Sequence, residues 1–190
     1  TTEEATAIQL RLAGQVSRTN GISEEARYVV GTDISPPDDD DMAYGGAVVM
    51  GLPDLHVVEV KHSRGRPGFP YVPELLSFRE APLVLAALDL LADLPAIGCA
   101  KSILRGKHGP LDSERDSWVP LEDKGKLVGA ALRTRDSVNP IYVTIGHKVD
   151  LLAAIRWVLA CGGGYRMPES TRLARLAAAG KLEEREPERD

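Results

Sequence analysis

The order of the apolar segments constrains the fold of this chain most. Three β-rich runs, at residues 27–34, 43–50 and 56–62, come first, preceded only by an amphipathic helical pattern at residues 3–17. After them the periodicity alternates. A helix is expected over 82–92, a short apolar strand over 96–100, and strands over 127–133 and 140–144. Helices follow over 150–159 and 170–179. Strands first and strand–helix alternation later predict an α/β domain, a mixed sheet flanked by helices. The punctuation agrees. Asn20-Gly21 ends the first helix, Ser35-Pro36-Pro37 and four aspartates make a loop, and Leu52-Pro53-Asp54 joins the second and third strands as an antiparallel pair. Residues 65–73 hold three prolines and two glycines, so they form a loop, and Pro82 suits the first turn of a helix. Gly162-Gly163-Gly164 stops the next helix. Residues 107–124 read as irregular. Residues 1–180 read as one domain, and 181–190 as a charged, solvated tail.

Composition then removes whole classes. The chain has 190 residues, 43% hydrophobic and 27% charged, which is globular material. No apolar run is long enough to span a bilayer and the first residues lack a signal-peptide pattern, so no membrane and a cytoplasmic location are expected. Two cysteines, Cys99 and Cys161, stand without metal spacing. That argues against a disulfide scaffold or a zinc module. The net charge of −5 is local: Asp38 to Asp41 carry four negative charges and residues 181–190 a net −2, leaving the other 176 residues at +1. Basic groups cluster at Lys61/Arg64/Arg66, Lys101/Arg105/Lys107 and Arg133/Arg135. A phosphate-backbone partner stays open.

Four residues carry candidate chemistry. Asp33 ends an apolar strand, where a carboxylate is costly unless it meets a cation; its plainer role is to start the turn at Ser35. Glu80 precedes the proline-started helix, where the macrodipole also stabilises an acid. Lys101 ends the strand Ile97-Gly98-Cys99-Ala100, whose small residues allow close approach to the backbone. His147 sits in a glycine-bearing turn, and a lone histidine there is more often structural. His56, His62 and His108 have no zinc spacing. No nucleophile elbow, phosphate loop or dinucleotide fingerprint is present. Acids on separate elements with a nearby lysine are the equipment of magnesium-dependent phosphodiester hydrolysis, since hard carboxylate oxygens suit Mg²⁺.

The stretches Phe69-Pro-Tyr-Val-Pro73 and Leu75-Leu-Ser-Phe-Arg-Glu80 resemble the signature of endonuclease V, the deoxyinosine-directed repair nuclease. Gly31-Thr-Asp33, Ile97-Gly-Cys-Ala-Lys101, Leu132-Arg-Thr-Arg-Asp136, Gly146-His147 and Gly164-Tyr-Arg-Met-Pro-Glu-Ser-Thr-Arg172 match in order. The resemblance runs from about residue 5 to 179. It implies a ribonuclease H-like fold and cleavage of the second phosphodiester bond 3′ to deoxyinosine in DNA, leaving 5′-phosphomonoesters. Carried over by motif position, Asp33 and Glu80 ligate Mg²⁺, with Mn²⁺ a substitute. Lys101 faces the scissile phosphate, and His147 lies near the metal and the attacking water. Tyr71 wedges into the duplex beside the flipped base. Pro73 and Leu76 belong to the same lesion-binding loop, and Gly98 and Ala100 wall the base pocket. No protein partner is implied.

Two departures bear on the implied activity. Glu74 replaces the glycine that the family usually has after the wedge loop. The family also carries a second metal aspartate, in an Asp-Gly-His-Gly or similar strand, between the Glu80 helix and the lysine strand. Here only Asp93-Leu94-Pro95 intervenes, and neither Asp89 nor Asp93 has the right context. The expectation is that a strand–helix segment of roughly thirty residues belongs near residues 88–93 and that the sequence joins its flanks. Two alternatives follow: a lesion-binding module that cannot cut, and an inosine-directed endoribonuclease.

Overall fold

A computed structural model describes residues 1–36, 38–70, 72, 75, 78 and 94–187. They fall into two compact units, where the sequence predicts one domain. The first comprises Thr1–Gln15, Arg27–Ala92 and Ser170–Asp190, the second Val16–Ala26 and Asp93–Glu169.

In the first unit, α1 (Thr2–Ala13) opens with a capping box: the Thr1 hydroxyl accepts the Glu4 N–H while the Glu4 carboxylate bonds back to Thr1. Then β1 (Tyr28–Ile34), β2 (Ala43–Gly51) and β3 (Val57–Gly65) form an antiparallel sheet in that order. The β1–β2 register is unbroken, Tyr28 opposite Gly51 through Ile34 opposite Gly45, whereas β2 and β3 slip at Val49/Met50. The C-terminal helix of the chain, Glu169–Ala178, covers this sheet with Ala174 and Ala177, which pack on Val48, Met50 and Val60. Glycine makes that approach possible. A Cβ on Gly46 would stand 2.5 Å from the Ala174 carbonyl, and one on Gly31 2.1 Å from that of Ser170. The expected solvated tail is partly ordered: Arg185 exchanges both backbone hydrogen bonds with Val60, and Glu186 pairs with Lys61 at 2.5 Å.

In the second unit, β4 (Ile97–Ala100), β5 (Trp118–Asp123), β6 (Lys126–Leu132) and β7 (Ile141–Ile145) form an antiparallel sheet in the order β4-β7-β6-β5. The strand β5 corrects the irregular reading of residues 107–124. Pro120 hides it, yet an edge strand tolerates proline. The two-residue turn Lys124-Gly125, both with positive φ (51° and 74°), is the hairpin geometry that joins β5 to β6. Helix α2 (Leu151–Ala160) is capped by Asp150, whose carboxylate accepts the Ala153 N–H at 2.8 Å. Its Ala154, Ile155 and Val158 pack on Ala130, Leu132, Ile141 and Val143. The helix Glu169–Ala178 is α3.

Every pairing among the described strands is antiparallel, so the parallel pairs of the expected mixed sheet are not among them. The predicted helix at 82–92 and the seam at 88–93 lie outside the described residues. No helix of the described residues is long and apolar enough to cross a membrane.

Candidate functional site

In the first unit, Asp33 is the acid the sequence singles out, and β1 places it one residue before the strand ends, opposite Gly46. It is half-buried, and its Oδ1 accepts the backbone N–H of Ile34 at 2.9 Å. The carboxylate chemistry suits a hard divalent cation. One carboxylate is short of a site, however: among the described residues no three His, Cys, Asp or Glu side chains gather to hold an ion. Glu80, the second expected ligand, lies outside the described residues, as do Tyr71, Pro73, Glu74 and Leu76. Of that loop, Val72, Leu75 and Phe78 are described, with Leu75 buried and the Phe78 ring 5.7 Å from that of Phe69.

In the second unit, Lys101 follows β4 and its side chain is exposed. Its carbonyl is held by Arg166, whose Nη2 donates to Lys101 O and to Pro140 O, both at 2.7 Å. The guanidinium thereby ties the end of β4 to the start of β7. Sequence reasoning quoted Arg166 within its motif and gave it no role; an arginine inside a stretch stiffened by glycine and proline is the available signal.

His147 stands elsewhere. Strands β4 and β7 run antiparallel with Ile97 opposite Ile145 and Ala100 opposite Tyr142. Lys101 therefore leaves one end of the pair and His147 the other, about 20 Å apart along the strands at about 3.3 Å per residue. The His147 ring accepts the Ser17 N–H at Nδ1 (3.2 Å), its carbonyl accepts Ala96 N–H, and Lys148 and Gly21 close the same clasp. The resemblance places Lys101 at the scissile phosphate and His147 near the metal, and the register puts them at opposite ends of the β4–β7 pair.

Gly98 is also accounted for by the sheet. A Cβ there would lie 2.2 Å from the Thr144 hydroxyl on β7, its register partner. Ala100 is exposed beside it. The basic clusters are largely engaged. Lys61 bonds Glu186 and Glu59, Arg105 faces Asp123 at 3.6 Å, and Arg133 spends its guanidinium on the carbonyls of Leu111, Asp112 and Val138. A cavity of about 370 Å³ lies between Arg135, Asp136 and Tyr165, and no predicted site residue lines it.

The comparisons with known proteins match these elements on both sides of the seam. The family described as Endonuclease V matches residues 10–92 and again 88–176. Endonuclease V of Roseiflexus sp. (strain RS-1) is 42% identical over 213 aligned positions, covering 94% of this chain and 93% of the relative. That alignment is longer than the chain, so the relative carries residues where this chain has none. The crystal structure of Endonuclease V from Streptomyces avermitilis superposes with a TM-score of 0.88 at 35% identity, covering 95% of this chain and 92% of the other. A Ciona intestinalis Endonuclease V, in complex with a 23mer DNA containing an inosine followed by a ribo-adenosine, gives a TM-score of 0.77 at 19% identity. Its coverage is 95% and 96%. The fold is the ribonuclease H-like arrangement of these structures, and their family's nucleases are metal-dependent. The chain belongs to the endonuclease V family.

Proposed function

We propose that this chain is a DNA repair endonuclease that hydrolyses the second phosphodiester bond 3′ to deoxyinosine, leaving 5′-phosphomonoesters. The observation that carries the reading is Asp33, a half-buried carboxylate near the end of an apolar strand within the family match. Such a group is expensive unless a cation meets it. Asp33 and Glu80 are the ligands in this reading, and Mg²⁺ is the cofactor, with Mn²⁺ a substitute. A hard divalent ion bound there supplies an acidified water and steadies charge on the phosphate. Lys101, exposed and with its backbone fixed by Arg166, presents its ammonium to the scissile phosphate. In this reading His147 lies near the metal and the attacking water, with its Nδ1 accepting the Ser17 N–H. Tyr71 fills the stacking gap beside an extruded base, with Pro73 and Leu76 stiffening and lining that loop; Gly98 and Ala100 flank the base. The inosine-containing DNA held by the Ciona relative supports the substrate class.

A second reading, a lesion-binding module that does not cut, is favoured by the overlap of the two family matches at residues 88–92. Nicking of a deoxyinosine duplex in Mg²⁺, compared with binding to the same duplex in EDTA, separates the two. Cleavage establishes the first reading, and binding without cleavage the second. The same assay on an inosine-containing RNA decides between DNA and RNA. Cleavage confined to the RNA overturns the DNA assignment.

A further inference from the structure

Two loops and a turn of the second unit enclose the cavity of about 370 Å³ between Arg135, Asp136 and Tyr165. Its walls are held by their own hydrogen bonds. Residues 113–117 and 134–138 are laced together: Ser137 N–H donates to Ser113 O (2.7 Å), Asp116 N–H to Arg133 O (2.8 Å), and Arg115 N–H to Asp136 Oδ1 (2.6 Å). The Arg133 guanidinium adds bonds to the carbonyls of Leu111, Asp112 and Val138. The wall that carries Tyr165 is tied in next door, where the Thr134 hydroxyl donates to Arg166 O at 2.7 Å. Asp116 and Ser137 hold positive φ, 68° and 53°, a conformation that the surrounding bonds must maintain.

The groups that this lacing leaves over share one chemistry. Arg133 spends its guanidinium on carbonyls, whereas Arg135, on the cavity wall, carries no side-chain hydrogen bond or ion pair among the described residues. Arg115 gives its Nε to Asp116 at 3.1 Å and keeps both Nη groups to donate. Asp136 has one oxygen taken by the Arg115 N–H and the other open. The same cavity is lined by Tyr165, 52% exposed, and by the buried Val158 and Pro168. Guanidiniums that donate in pairs fit the oxygens of a phosphate. An aromatic ring beside apolar side chains fits the face of a base. An open carboxylate oxygen accepts a base N–H; guanine presents such donors on its Watson–Crick edge where adenine has a ring acceptor. The volume lies at the small end of ligand sites of about 300–1,000 Å³, which suits one nucleotide. We propose that this cavity takes a guanine nucleoside 5′-monophosphate, with Arg115 and Arg135 on the phosphate, Tyr165 against the base and Asp136 on its N–H. None of these residues belongs to the proposed cleavage site, so the nucleotide site stands independently of the endonuclease reading.

The test is titration calorimetry of the full chain with GMP, AMP and inorganic phosphate at fixed ionic strength, with the Arg135 Nε–H resonance as a local probe. GMP is expected to shift that resonance and to bind about tenfold tighter than AMP, and tighter still than phosphate. Arg135→Ala weakens GMP about tenfold or more, as the loss of a charge-assisted hydrogen bond does. Tyr165→Leu weakens it about fivefold or more, as the loss of a stack does. Asp136→Asn keeps an oxygen for the Arg115 N–H and puts an amide donor where the open oxygen was, so the preference turns towards AMP. A 5′-phosphorylated dinucleotide that begins with deoxyguanosine separates two sources of the same chemistry. Affinity equal to that of GMP or above assigns the site to a strand end, and lower affinity to the free nucleotide. No binding of GMP, equal binding of GMP and AMP, or GMP affinity unchanged in Arg135→Ala overturns the proposal. So does loss of DNA duplex affinity in Arg135→Ala with GMP binding intact, since the arginine then serves a strand's backbone.

Discussion

Burial sets the behaviour of the two thiols. It pushes Cys99 up to about 12, with the nearby Cys161 adding to the shift, and Cys161 up to about 11. Both stay protonated through neutral pH. The unfolded thiols ionise near the ordinary value of 9.0, so above that pH the unfolded chain sheds protons that the folded one keeps. Stability from this source is full below about pH 9 and declines as pH rises towards 11 and 12. We expect the urea midpoint to fall over pH 9–11, and the Cys99→Ala/Cys161→Ala double variant to show a shallower slope; equal slopes defeat the assignment. Asp33 calls for a different substitution. Asp33→Asn keeps an oxygen for the Ile34 N–H but removes the charge, which separates structure from chemistry. Cleavage is expected to drop on the order of 10²-fold or more, as for a damaged metal shell, with the dissociation constant for inosine duplex little changed. Retained nicking in a direct gel assay would remove Asp33 from the site. Asp33 was legible in the sequence because a carboxylate among Tyr, Val and Ile stands out. Arg166 was not, because its two acceptors lie 65 and 26 residues away and meet only through the β4–β7 register.

Elements were legible where the apolar pattern and the turn residues agreed. Residues 43–50 and 150–159 were foreseen to within a residue of β2 and α2. Strand β5 was hidden because its signal is a Lys-Gly turn and its run contains Pro120. Nothing in local periodicity says which helix covers which sheet, and here a stripe of absent side chains decides it. Helix α3 seats on β2 at Gly46, where a Cβ would meet Ala174 O and Ala178 N, both at 2.5 Å. These are backbone atoms and cannot turn aside. Gly46→Ala should therefore destabilise the first unit by about 1–3 kcal/mol, the usual cost of overpacking. Gly68→Ala, with nothing within 4 Å of its added methyl, should stay within about 0.5 kcal/mol of the parent. Denaturant midpoints measure both, and equal effects would mean that α3 does not press on that glycine.

At the scale of the whole molecule, segments distant in the chain build each core. The described residues fall into two units, each with its own core. Val48, Met50 and Val60 meet Ala174 and Ala177 in one; Leu132, Ile141 and Val143 meet Ala154, Ile155 and Val158 in the other. The two clusters share no residue, and each sheet ends in a strand paired on one side only among the described residues. Val48 and Val143 are both fully buried and differ only in which core they serve. Truncating either to alanine should cost about 1–3 kcal/mol through lost burial and the cavity left behind. For units of this size, each kcal/mol lowers a melting temperature by about 4–8 °C. Calorimetry of the full chain should accordingly show the unfolding temperature lowered by about that much in each variant. An unchanged unfolding temperature in either variant would mean that its valine contributes nothing to the core it is buried in.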